Sequence, residues 1–117
     1  MKHERLIGLL LVAITLVAFW QVLGNGFIKF FDDGEYILQN HFVSDGLTKT
    51  GIVWAFTKWY SGNWHPLTWL SHMLDCQLYG LKPTGHHLTS LLFHIANVLL
   101  LFLLLSRMTG AVWRSAF

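Results

Sequence analysis

LTSLLFHIANVLLLFLLL, residues 88–105, is an eighteen-residue run dominated by apolar side chains. It holds no formal charge, closes on the almost pure run VLLLFLLL (98–105) and is followed by Arg107. At about 1.5 Å per helical residue, eighteen residues nearly match a bilayer hydrocarbon core of about 30 Å. Its polar residues are not scattered. His87, Ser90, His94 and Asn97 fall at i, i+3, i+7 and i+10, one face of a helix. Polar groups at bilayer depth are costly and turn toward other helices or a wet cavity, so this face expects protein beside it. Haem ligation by His94 would ask for a second histidine from a partner helix, and the other apolar stretch contains none.

That other stretch is Leu6–Leu23, interrupted by Gly8, Thr15 and Gln21, with Trp20 at headgroup depth. The whole chain agrees with a membrane setting: of 117 residues 54% are hydrophobic and 12% charged, against about a quarter charged in soluble domains. The net charge of +2 comes from dispersed basic residues, which excludes the clustered Lys/Arg face of a nucleic-acid binder. Cys76 is the single cysteine, so neither an intrachain disulfide nor a CxxC site exists.

Basic residues set the orientation. Residues 1–5 and 106–117 hold Lys2, Arg5, Arg107 and Arg114, whereas the much longer connection 24–85 holds only Lys29, Lys49, Lys58 and Lys82. The positive-inside rule then puts both ends in the cytoplasm and the connection outside. A cleavable signal peptide competes for the N-terminus, but the apolar run exceeds the usual length and AFWQVL offers no A-x-A-like site. The expected fold class is an all-α membrane protein with two transmembrane helices joined by a long outer loop with short amphipathic helices. Its parts are a cytoplasmic N-terminus (1–5), transmembrane helix 1 (6–23), an extracytoplasmic loop (24–85), transmembrane helix 2 (86–105) and a cytoplasmic C-terminus (106–117).

The loop is rich in aromatics, unlike a disordered linker. Trp54, Trp59, Trp64 and Trp69 recur every five residues, a step that cannot keep four rings on one helical face; an interfacial cluster and a small packed core both account for them. One short helix is expected from about Thr50 to Tyr60, with Ile52, Phe56 and Trp59 on its apolar face. A second begins at Pro66 and stops before Gly80, with Leu67, Leu70, Leu74 and Leu78 on one side and Thr68, His72 and Asp75 on the other. Such a pair would lie flat on the membrane, apolar faces down.

Upstream of these helices, FIKFFDDGEY (27–36) sets Asp32, Asp33 and Glu35 just beyond the first apolar run. A carboxylate within hydrogen-bond reach of a hydroxyl is a general base. Carboxylates also hold divalent cations, here with Glu35 or Asp75 as helpers. A hairpin turn at Asp33-Gly34, between FIKFF and EYIL, is the reading that needs no function.

Taken together, FFDDGEYILQN and WAFTKWYSGNWHPLTWLSHMLDCQLYGLKPTGHHLTSLLFHIANVLLLFLLL resemble the amino-terminal region of GT-C type membrane glycosyltransferases, specifically bacterial relatives of transmembrane, tetratricopeptide-repeat O-mannosyltransferases. The likeness runs from about Phe27 to Phe117, and GNWHPLTWLSHMLDCQLYGL is its most specific part. The resemblance implies a bacterial inner-membrane enzyme that moves a sugar from a polyprenyl-phosphate carrier to an acceptor hydroxyl of an exported protein. It implies Asp32 as base on the acceptor, with Asp33 at the partner acid position or the two reversed. His65, His72, His87 and His94 are candidates for contact with substrate, with packing as the alternative for each. The cofactor is left open, since a divalent cation is not required by the sequence; a metal-binding loop using Asp32, Asp33, His65 and His72, scattered ligands without a recognised spacing, is a separate reading of the residues. The implied partners are membrane lipid, the lipid-linked sugar donor, the protein acceptor and the remaining transmembrane helices of a longer protein. Members of this class carry many spans and helical repeats, whereas AVW and AF bracket Arg114-Ser115 where a further apolar segment begins. The expectation is therefore a truncated module, inactive alone. The rival is a non-catalytic two-span subunit that docks through the face of His87, Ser90, His94 and Asn97.

Overall fold

The computed structural model describes residues 2–116, which contain helices and no strand, with one isolated bridge between Tyr60 and Asn63. Helix α1 spans Lys2–Phe19 and tightens into a 3₁₀ turn, Trp20–Gly24. A π-helical turn, Gly34–Leu38, leads to α2 (His41–Ser44), α3 (Lys49–Thr57) and α4 (Pro66–Tyr79). The long α5 (Pro83–Thr109) and a 3₁₀ turn at Arg114–Ala116 complete the order. The chain divides into two compact units, residues 24–87 and the stretches before and after them.

Lys2–Gly24 and Pro83–Thr109 are both long and apolar enough to cross a membrane. Three of their hydroxyls bond back to the helix's own carbonyls. Thr15 Oγ1 donates to the Leu11 carbonyl at 2.7 Å, Ser106 Oγ to that of Leu103 at 3.1 Å and Thr109 Oγ1 to that of Leu105 at 2.8 Å. Phe19 and His94 meet edge to face at 4.9 Å. Most of the apolar surface remains outward; Val17, for example, is 80% exposed. The second long helix exceeds its expected bounds of 86–105 at both ends. Pro83 tolerates the first turn because the missing N–H has no intrahelical partner there, and the helix runs on until the Gly110 N–H bonds back to the Ser106 carbonyl at 2.9 Å.

The connecting unit is folded around Trp54, Trp69 and Met73, with Ile37, Val43, Ala55 and Cys76 closing the core. Trp54 stacks on Phe42 at 5.0 Å and meets Trp69 edge to face at 5.3 Å; Tyr36 and Tyr60 pack on Trp69 at 4.6 and 5.7 Å. Helices α2 and α3 start on side-chain caps. Asn40 Oδ1 accepts from the Phe42 N–H at 3.1 Å, and Thr48 Oγ1 from the Gly51 N–H at 3.0 Å.

Both loop helices occupy nearly the expected ranges, and the apolar faces expected to lie on a membrane are left uncovered by the protein. α4 buries Trp69, Met73, Asp75 and Cys76, while Leu67, Leu74 and Leu78 point outward. α3 buries Gly51, Trp54 and Ala55, while Ile52 and Phe56 are exposed. Each helix carries apolar residues on two sides, so periodicity finds a face without saying which one the protein covers. The four tryptophans divide accordingly: Trp54 and Trp69 are core, and Trp59 and Trp64 are exposed.

Candidate functional site

FIKFFDDGEY forms a closed turn, not a hairpin. The Phe31 N–H bonds to the Ile28 carbonyl, the Gly34 N–H to that of Phe31 at 2.9 Å, and Asp33 Oδ2 accepts from the Ile28 N–H at 3.0 Å. No side chain fits at position 34, since a Cβ there would collide with the Lys29 carbonyl. Gly34 thus permits the chain to double back and start the π-helical turn.

This geometry separates the two aspartates. Asp33 is half-buried and spends a carboxylate oxygen closing the turn, while Asp32 is exposed and makes no hydrogen bond among the described residues. Phe30 and Phe31, exposed beside them, give the turn an apolar rim. Glu35, expected as a helper for a cation, is a fastener instead. Its carboxylate accepts from Ser61 Oγ, its carbonyl accepts from Tyr60 Oη at 3.2 Å, and Asn63 Nδ2 donates to Tyr36 Oη at 2.7 Å. The acidic turn is therefore tied to the turn before α4.

The candidate histidines have different surroundings. His65, preceding Pro66, lies edge-on to Trp69 at 4.6 Å and Tyr36 at 5.5 Å, and its buried Nε2 has no partner. His87 tilts against Phe27 at 6.1 Å, also with Nε2 buried and unpartnered. His94 is exposed on α5 and touches Phe19, and Ser90 and Asn97 on the same stripe are exposed as well. His72 is held below the ordinary imidazole range, first by burial and then by the neighbouring His86 and His65, against the opposing pull of Asp75 and Asp33. The influence of Asp33 puts His72 within electrostatic reach of the acidic turn.

Among the described residues, the metal-capable side chains that converge are His72, Asp75 and His86, whose ligand atoms all lie within 4.8 Å of one another. Asp32, Asp33 and His65, proposed with His72 from sequence, do not join that group. Asp75 and His86 are buried and His72 half-buried. His86 itself was missed in the sequence because His87, its neighbour, falls in phase with Ser90 and His94. The available signal was weaker: His72 and Asp75 sit at i, i+3 on one helix, and a histidine pair opens the next.

Compared with known proteins, the chain matches no family model, no curated protein and no solved structure.

Proposed function

We propose that this chain is the amino-terminal module of a membrane-embedded protein O-glycosyltransferase that uses a polyprenyl-phosphate-linked, mannose-type sugar. In this reading α1 and α5 cross the bilayer, both ends of the chain face the cytoplasm and the folded loop lies on the outer side. Asp32 takes the proton from the acceptor Ser or Thr hydroxyl as its oxygen attacks the anomeric carbon. The bond from that carbon to the carrier phosphate breaks, the lipid phosphate leaves with the electron pair, and the configuration inverts. Positioning of the two substrates supplies much of the rate, so further transmembrane helices enclosing them belong to the proposal. The carrying observation is the division of the acidic pair: Asp33 closes the turn, which leaves the Asp32 carboxylate exposed and uncommitted beside an apolar rim.

A second reading has its own observation. Ser90, His94 and Asn97 are exposed along one side of α5, as expected of a non-catalytic subunit that docks on a larger membrane complex. Native membranes carrying Asp32→Asn or His94→Ala separate the two. Loss of glycosylation of exported proteins in Asp32→Asn, with the chain still present, supports the transferase. Unchanged glycosylation there, with complex assembly lost in His94→Ala, supports the subunit.

A further inference from the structure

We infer that His72, Asp75 and His86 form a binding site for one divalent transition-metal ion of the zinc type, bridging α4 to the first turn of α5.

The strongest observation is the state of His86. Its Nε2 lies 2.9 Å from the Gly80 carbonyl, an atom that only accepts, so Nε2 carries the proton. When the ring is neutral, Nδ1 presents a lone pair. It is buried, has no hydrogen-bond partner, and lies 3.8 Å from Asp75 Oδ2. In that state two acceptors face each other in a place where His86 is only 4% exposed. A cation between them removes that conflict. A backbone carbonyl fixing the far nitrogen of a histidine is also the usual outer support of a metal-bound imidazole.

His72 completes the set from one turn back along α4, with its own Nδ1 buried and unpartnered. Tetrahedral coordination with bonds of about 2.0–2.1 Å separates ligand atoms by about 3.3 Å, so the observed spread closes with side-chain adjustments of about 1 Å. Two imidazoles and one carboxylate suit zinc, cobalt or ferrous iron better than magnesium or calcium, which prefer oxygen alone. The three groups leave a coordination position open for water or another ligand. The framework around the site is firm: the ring of Tyr79 occupies the space a Cβ at Gly85 would need, which holds the end of α4 close to the residue before His86. The inference stands independently of sugar transfer.

The test uses the full chain in detergent, purified through a tag without histidine, stripped with chelator and then given zinc or cobalt alone. The expected result is one zinc per chain by elemental analysis, together with visible cobalt bands of a low-coordinate nitrogen and oxygen site. His72→Gln, at the half-exposed position and the gentlest of the three replacements, should weaken zinc binding about 100-fold or more while the helical circular dichroism stays unchanged. His86→Gln should do the same. Absence of stoichiometric zinc in the folded wild-type chain, or zinc that survives both replacements, overturns the inference and leaves Asp75 and His86 as a proton-held pair.

Discussion

At Gly34 the acidic turn doubles back so tightly that the Lys29 carbonyl fills the space of any side chain. Gly34→Ala should therefore push Asp33 away from the Ile28 N–H and destabilise the loop by about 1–3 kcal/mol, read by chemical denaturation followed by circular dichroism. A wild-type midpoint in that variant would mean the turn tolerates what the geometry forbids. Cys76 is shielded in the same unit. Burial, followed by the Asp75 carboxylate, pushes its thiol up to about 11, and the residue is buried in the core of the loop. The thiolate is the reactive form, so at pH 8 only about one thousandth of it is available. Maleimide labelling of the folded chain should be at least about 100-fold slower than in denaturant, rising about tenfold per pH unit through pH 9 without levelling. Rapid labelling at pH 7 would contradict a closed core. The acidic pair itself was visible in the sequence, but the division of labour within it was not. It depends on one hydrogen bond, from the Ile28 N–H to the Asp33 carboxylate, that residue types do not encode.

Among the elements, the starts and stops were legible because they are local chemistry: Pro66 at the head of α4, Gly80 after it, and a long apolar helix around 88–105. α2 and the π-helical turn were not. Four- and five-residue elements are too short for a hydrophobic period, and both are held by the tertiary framework. The division of α3 and α4 into a core side and an uncovered side has a measurable consequence. Trp69→Ala empties a fully buried site and should cost about 3–5 kcal/mol, while Trp59→Ala, at a position 75% exposed, should stay within about 0.5 kcal/mol. Equal losses at the two positions, measured by denaturant titration in micelles, would refute this assignment of core and surface. The metal-capable trio illustrates the same limit. The i, i+3 pair on α4 can be found in sequence, but His86 joins it only through the turn at Gly80.

For the molecule as a whole, two long apolar helices and, between them in sequence, a folded aromatic connection follow from composition and periodicity, and the structure contains both. The exposed leucines and phenylalanines of α1 and α5 are compatible with a bilayer, which is why a bilayer belongs to the proposed function. Single cysteines placed at Ser61 and at Ser115, in a Cys76→Ser background, report the orientation. A membrane-impermeant maleimide applied to intact cells should label the first and spare the second; the reverse would place the loop in the cytoplasm and remove it from an outward-facing donor and acceptor.

The role of Asp32 is tested most directly by sugar transfer from a radiolabelled polyprenyl-phosphate donor to exported proteins, in membranes from cells that naturally produce this chain. Deletion of the chain sets the background. Asp32→Asn should lower the transfer above that background by at least about 100-fold with the chain still present, whereas Asp33→Asn, which still offers an amide oxygen to the Ile28 N–H, should lower it far less. Wild-type transfer in Asp32→Asn would contradict the account.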